Sequence, residues 1–431
     1  MKTLFEEASI LSYGKDGFSV IENGYLGIEN DLIVYLSENE PKAGYDVNKN
    51  MSGKLLSPSL INGHGHSPMT LLRGLGSNLP LERWLKEAIW PIENRLDAQS
   101  VRVGASLAIM EMIAAGTTCF SDMYYMNEGT IEEICNAKVK SNQTCPILSS
   151  DPEESLLENR TYREFKSLYD NFDGYDNGRI LIDFSIHAEY TVTEKMTREY
   201  ARLCNESDGH MHIHLSETSK EHQGCRKRYG KTPTEWFLAA GLFDSSCQAA
   251  HCVVVEDGDI DILAVKGVSV VHNPTSNLKL GSGFAPIPTL LERGINVSLG
   301  TDGAASNNNL NMFEEMHIAS IIHKGYHSNP ATMNPEALVE MATVNAAKMM
   351  RRGDIGTLEV GKKADIIAIE LDRPHLIPNV DLLSLMVYSM QASDVVMTMA
   401  DGEIIYENGD FYTIDSEKVR FEVKNVMKKL Y

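Results

Sequence analysis

The hydrophobic positions change texture twice along the chain. Up to about residue 56, short apolar stretches such as Ser19-Val-Ile21, Gly24-Tyr-Leu-Gly-Ile28 and Asp31-Leu-Ile-Val-Tyr-Leu36 alternate with turn-forming residues. Asn23-Gly24 and Glu29-Asn-Asp31 suit tight turns, so a small antiparallel sheet is predicted here. The same texture returns near the other end, in Ala364-Asp-Ile-Ile-Ala-Ile369, Asp394-Val-Val-Met-Thr-Met399 and Glu403-Ile-Ile-Tyr406, before a charged helix near Ser416–Leu430. Two strand-rich ends around a different middle predict one small β domain assembled from residues 1–56 and 360–431.

The middle, residues 57–359, alternates helical and strand patterns. Ala98–Ala115 carries apolar residues at helical spacing, with Gly116 as the stop. Apolar runs that each finish on a polar residue follow: Thr117–Asp122, Ile180–His187, Met211–His214, Ala249–His251, Val268–His272 and Ile295–Asp302. Helical stretches such as Thr232–Gly241 and Ile287–Gly294 separate several of them. Repeated strand-then-helix units build a parallel sheet with covered faces, and this many units close most economically into an α/β, TIM-like (β/α)8 barrel. Functional residues then belong at the C-terminal strand ends, where these histidines and the aspartate fall.

Composition narrows the class. Hydrophobic residues make up 43% and charged residues 23% of the 431 positions, as in a globular protein with a large core. The net charge of −21, from 60 acidic against 39 basic residues, argues against nucleic acid or an anionic membrane as partner, and its spread along the chain reads as a solvated surface. Met1–Glu7 turns acidic before any apolar signal core, and no apolar run reaches membrane-spanning length. The seven cysteines are odd in number and contain no Cys-x-x-Cys pair, so they read as reduced thiols and a cytoplasmic location is expected.

The chemistry centres on Asn62-Gly-His-Gly-His66, which ends the apolar run Leu55–Ile61. His64 and His66 share one face of an extended strand and can converge on one ion, and imidazole favours zinc and related metals. In His210-Met-His-Ile-His214 all three imidazoles share a face, so spacing alone does not choose among them. His214 is nearest the strand end and alone stands three residues before a carboxylate, Glu217; His210 and His212 are read as surface or packing residues. His251 could orient an attacking water, against the plainer role of a hydrogen-bonded structural residue. Asp302 could complete a metal sphere and accept the water's proton, or simply cap the turn into Gly303-Ala-Ala-Ser306.

Taken in order, His64-Gly-His66, His214-Leu-Ser-Glu217, His251, His272-Asn-Pro-Thr-Ser-Asn-Leu-Lys-Leu-Gly-Ser282 and Gly300-Thr-Asp-Gly-Ala-Ala-Ser306 resemble the amidohydrolase superfamily. More closely, they resemble the 5-methylthioadenosine/S-adenosylhomocysteine deaminases and their chlorohydrolase-like relatives. Pro68–Gly74, Trp90–Leu96 and Gly361–Asp365 match as well, so the resemblance covers essentially the whole chain. It implies a (β/α)8 barrel with a β-sandwich from both termini, and hydrolytic deamination of an adenine nucleoside to the hypoxanthine product and ammonia.

By the same resemblance, His64, His66, His214 and Asp302 would bind one divalent metal, zinc first and iron as the alternative. Glu217 would shuttle a proton and His251 would orient the water. Binuclear relatives place a carboxylated lysine at the end of the fourth strand, where this chain reads Ser185-Ile-His-Ala-Glu189, so one ion is expected. Glu93 would hold the ribose hydroxyls, His187 a purine nitrogen and Ser306 the base edge, with Trp90 as pocket wall. In Leu148–Arg160 only Arg160 is a cation that could hold a substrate carboxylate, which weighs against S-adenosylhomocysteine. Relatives are often homo-oligomers. The rival expectation is deamination or dechlorination of another heterocycle (guanine, a pterin or a triazine); a catalytically silent metal- or nucleoside-binding protein is the remote one.

Overall fold

The computed structural model describes residues 1–42 and 44–431. Eight parallel strands follow one another around a barrel: β1 (Leu60–Gly65), β2 (Thr117–Met123), β3 (Lys140–Thr144), β4 (Ile180–Ile186), β5 (His210–Leu215), β6 (Ser246–His251), β7 (Ser269–His272) and β8 (Val297–Leu299). The last strand meets the first through the Asp302 N–H, which donates to the His64 carbonyl at 3.0 Å. Nearby, the Thr301 N–H donates to Asn62 Oδ1, also at 3.0 Å. This closure requires Gly63, where a Cβ would lie 2.9 Å from the Leu299 carbonyl oxygen. Strands covered on both faces read as continuous runs rather than alternating ones, as the sequence does.

Helices form the outer ring, and their ends follow the capping rules. The helix Ala98–Ala114 starts on Asp97, whose side chain accepts from the Ser100 N–H. It stops before Gly116, at φ +83°, where a Cβ would also press on Ile367. The helix Glu194–Glu206 is capped by Thr193 and Ser219–Tyr229 by Thr218, each accepting a backbone N–H of the first turn. Among the described residues no helix is long and apolar enough to cross a membrane.

Both termini build the second sheet, of nine strands running from Asp410–Phe411 through Ile366–Glu370 and Lys54–Pro58 to Lys2–Gly14 and Leu32–Ser37. It is hydrogen-bonded as one sheet, and its two arms share a core that includes Phe5, Ile10, Leu26, Ile366 and Met397. The strand Lys54–Pro58 leads almost directly into β1, so the sheet is joined to the strand that carries His64 and His66. Lys140 at the start of β3 forms ion pairs with Asp365 and Asp401 of the sheet, each at 2.8 Å.

Two sequence expectations are corrected. Asn23-Gly24 is no hairpin turn, because the strand Gly17–Glu29 runs through it and Asn23 sits at positive φ in an irregularity against Lys2–Gly14. The helices Leu382–Tyr388 and Ser416–Leu430 lie within 360–431 yet pack on barrel helices, the latter against Ala98–Ala114. Val426 and Leu430 find apolar partners there, in a cluster with Met69 and Leu72. Of the two readings of His210 and His212, surface or packing, their burial inside the barrel bears out packing.

Candidate active site

The C-terminal strand ends converge on one point. His64 and His66 come from β1, His214 from β5, His251 from β6 and Asp302 from the turn after β8. Ligand atoms of His64, His66 and His214 lie within 4.8 Å of one another, as do those of His64, His251 and Asp302. Each ring is turned by its other nitrogen. His66 Nδ1–H donates to the Met123 carbonyl at 2.6 Å, His214 Nδ1–H to the His187 carbonyl at 2.8 Å, and His251 Nδ1–H to Asn277 Oδ1 at 2.8 Å. His64 Nδ1 lies 2.8 Å from His212 Nε2. All four Nε2 atoms are thereby directed inward. His251 and Asp302 reach their places through backbone at positive φ, +76° and +61°, a cost that marks functional sites more often than structural ones.

The electrostatics fit a cation at this point. His64 Nε2 is buried with no hydrogen-bond partner, 3.5 Å from Asp302 Oδ1. His66 Nε2 lies 3.2 Å from the same oxygen and 3.3 Å from His214 Nε2. With protons as the only cations, burial lowers His64 to about 3 and His214 well below the ordinary value. Burial also acts against a charge on His66, but the Asp302 carboxylate outweighs it and raises His66 to about 9. Asp302 itself, against the cost of burial, is held well below the usual carboxylate range by His64 and His66. One positive charge is therefore demanded among neutral imidazole nitrogens and a carboxylate oxygen, the donor set that suits zinc and its neighbours.

A family model described as the amidohydrolase family matches residues 55–405, from just before β1 to the sheet strand Glu403–Glu407. The chain belongs to the amidohydrolase family. Amidohydrolases are metal-dependent hydrolases, and this one is a hydrolase of C–N bonds. Among its relatives, a 5-methylthioadenosine/S-adenosylhomocysteine deaminase of Acetivibrio thermocellus is 41% identical over 437 residues, covering 100% of both chains. A 5'-deoxyadenosine deaminase of Methanopyrus kandleri is 39% identical over 367 residues, covering 85% of this chain and 84% of the other. A crystal structure of an adenosine deaminase from Xanthomonas campestris with bound zinc superposes with a TM-score of 0.93 at 28% identity, covering 99% of this chain and 98% of that one.

The convergent end of this amidohydrolase barrel opens into a cavity of about 620 Å³. It brings Glu93, His187, Glu217, Ser306, Trp90 and Arg160 to the same space as the histidines. Burial raises the Glu217 carboxyl, so it can carry a proton nearer neutral pH. Glu93 is raised by burial too, although it accepts a hydrogen bond from Tyr124 Oη at 2.8 Å. Burial lowers His187 to about 4, which keeps it neutral. Ser306 is less free than expected: its hydroxyl donates to Asp302 Oδ2 at 2.9 Å. Arg160 sits at the rim with its side chain 74% exposed, 3.7 Å from Glu164. Trp90 is 43% exposed and forms wall beside Leu85 and Tyr190.

Sequence reasoning missed the residues that hold others in place. Ser276 donates to Asp302 Oδ2 at 2.6 Å, and Asn277 orients His251; both lie in the stretch His272–Ser282, where only the order of the motif hinted at them. Glu221 accepts the N–H groups of Ser216 and Glu217 at 2.9 and 2.8 Å, fixing the turn that presents Glu217. Tyr124 directly follows the β2 residue Met123 and reads as an ordinary buried aromatic.

Proposed function

We propose that the protein is a metal-dependent aminohydrolase that replaces the 6-amino group of an adenine nucleoside with oxygen, releasing ammonia. The observation that carries this reading is the set of inward-turned imidazoles beside Asp302, with the buried acid Glu217 in the same cavity. His64, His66, His214 and Asp302 would hold one divalent ion, zinc first and iron as the alternative. When bound, such an ion supplies Lewis acidity that makes water nucleophilic near neutral pH.

The chain's own residues supply the remaining steps. Glu217, its proton affinity raised by burial, delivers a proton to purine N1 and so makes C6 electrophilic. His251, held by Asn277, orients the water toward C6. Asp302 takes a proton from that water and returns it to the departing amine. The C6–O bond forms, the C6–N6 bond breaks, the proton left on the C6 hydroxyl passes to Glu217 and restores its acid form, and ammonia leaves with a hypoxanthine nucleoside behind. Glu93, held by Tyr124, would pair with ribose hydroxyls, and neutral His187 would face a ring nitrogen.

The wall of Leu85, Trp90, Met126 and Leu148 favours an uncharged 5′ substituent. Arg160, exposed and near Glu164, offers a weak hold on an amino-acid carboxylate. Methylthioadenosine, 5'-deoxyadenosine and adenosine are thus the preferred substrates, ahead of S-adenosylhomocysteine. An ultraviolet assay of the adenine-to-hypoxanthine shift on zinc-loaded protein tests this. Turnover of the first three with little of the fourth is expected. No shift with any adenine nucleoside, in protein shown to hold one metal, would refute the substrate assignment.

A further inference from the structure

Three of the four inward-turned imidazoles rest their Nδ1 on oxygens that only accept: the carbonyls of Met123 and His187 and the amide oxygen of Asn277. His66 and His214 must carry their hydrogen on Nδ1 and leave Nε2 bare, and His251 does so toward Asn277, with the Asn273 amide nitrogen farther off at 3.4 Å. His64 is the exception. Its Nδ1 faces another imidazole, His212 Nε2, at 2.8 Å, and either nitrogen could own the shared hydrogen. If His212 owned it, the hydrogen of neutral His64 would sit on Nε2, the atom that must be bare to bind a metal.

We propose that His212 is a positioning residue that holds His64 in the metal-binding tautomer, carrying its own hydrogen on Nδ1 and accepting that of His64 on Nε2. The inference rests on the metal site assigned above. The direction follows from the metal site, which needs His64 Nε2 bare, and a hydrogen-bonded chain behind His212 accommodates it. His212 Nδ1 lies 3.3 Å from Ser121 Oγ. Ser121 Oγ accepts from Gln248 Nε2 at 3.1 Å, which leaves a lone pair that can take the His212 Nδ1–H; the reverse bond, from the Ser121 hydroxyl to His212 Nδ1, would put the His64 hydrogen on Nε2. The Gln248 amide is itself oriented, because its Nε2 also donates to the Gly63 carbonyl at 3.2 Å while its Oε1 faces His210 Nε2 at 3.2 Å. His210 Nδ1 ends the chain on Ser246 Oγ at 2.7 Å, at the opposite mouth of the barrel.

His64, His212, Ser121 and Gln248 are all fully buried, at 0% exposure, so bulk solvent does not reach the chain. The chain also explains why β5 carries three histidines on one face. His214 ligates, His212 orients His64, and His210 anchors the glutamine below.

Zinc binding to the metal-free protein, measured by competition with a chromophoric chelator, tests the proposal in His212→Phe, His212→Gln and Ser121→Ala. His212→Phe should weaken zinc binding roughly 10–100-fold, the usual effect of losing a ligand's supporting partner. Ser121→Ala should weaken it less, and His212→Gln, whose Oε1 can still accept, should restore most of the affinity. In zinc-loaded protein labelled with ¹⁵N-histidine, the Nδ1–H resonance of His64 should move or vanish in His212→Phe while those of His66 and His214 stay. Circular dichroism of each metal-free variant separates a lost fold from a lost ligand; if His212→Phe does not fold, Ser121→Ala and His212→Gln decide. Zinc affinity within about twofold of wild type in all folded variants, against the loss expected for a supporting partner, would overturn the proposal. Wild-type protein that binds no zinc, or binds it equally well after His64→Ala, would overturn the metal site itself.

Discussion

Replacing Lys140 by Met should cost about 3–5 kcal/mol of stability, because it strands buried acids rather than removing a surface pair. Lys140 Nζ lies 2.8 and 2.9 Å from the two Asp365 oxygens and 2.8 Å from Asp401 Oδ1, with the Lys140 and Asp365 side chains 6% and 1% exposed. Without the ammonium, Asp365 keeps the Thr118 hydroxyl at 3.1 Å and the Asp401 N–H at 2.9 Å, and Asp401 keeps Arg179 at 3.0 Å. These residual partners place the expected loss near the lower end of the range. Lys140→Met/Asp365→Leu should recover part of it, since the second change removes the stranded charge. The pH dependence has a definite sign. Burial acts against the Lys140 charge, but Asp365 and Asp401 outweigh it and raise its pKa, so its contribution is full below the ordinary value of 10.5 and fades as pH rises through the raised one. Burial likewise opposes the Asp401 charge, yet Lys140 and Arg179 lower its pKa, so that contribution fades as pH falls through the lowered value. Urea unfolding, with limited proteolysis around residues 350–366 to detect release of the sheet, would measure the loss. A change below about 1 kcal/mol at neutral pH, the scale of an exposed pair, would refute the claim that this network joins sheet to barrel.

Glu217→Gln should lower kcat roughly 10²–10⁴-fold, the range for a lost general acid, while zinc content by atomic absorption stays at one per chain; unchanged turnover would remove Glu217 from the chemistry. Tyr124→Phe takes away the hydrogen bond to Glu93, worth about 1–2 kcal/mol, and should raise KM for a nucleoside roughly 5–20-fold with kcat nearly constant. Steady-state kinetics showing the same KM would separate Glu93 from ribose binding. Glu315 is pushed up to about 8 by burial, so its favourable contribution is full below its ordinary value of 4.5 and is lost as pH rises through 8. Glu315→Gln should therefore flatten the decline of urea midpoints between pH 5 and 8.5 by an amount on the order of a few kcal/mol; an unaltered slope would refute this assignment.

His214, His251 and Asp302 were legible because each is a polar residue that finishes a largely apolar run. His214 and His251 stand at or next to the ends of buried strands and Asp302 in the turn after β8, and a barrel puts such endings at one mouth. The turn at Asn23-Gly24 was misread because a bulge and a hairpin ask the same of the backbone, a positive φ, and only the pairing partner distinguishes them. Strand β3 went unrecognised for the opposite reason. Lys140-Ser-Asn-Gln-Thr144 has no apolar residue, yet all five are buried.

Much of its polarity is met by residues far away in sequence, which no local pattern can announce. Lys140 is paired by Asp365, Asn142 Nδ2 donates to Asp183 at 2.8 Å, and Arg352 Nε donates to Asn142 Oδ1 at 2.9 Å. The same reasoning explains why the sequence could not rank the three histidines of β5. Period two places them on one face, but a ligand, an orienting ring and an anchor differ only in depth along the barrel, and depth is set by the neighbouring strands. Positioning residues such as His212, Tyr124 and Glu221 carry the signature of packing in sequence. Their contribution appears only when the partner atom, on another strand or turn, is known.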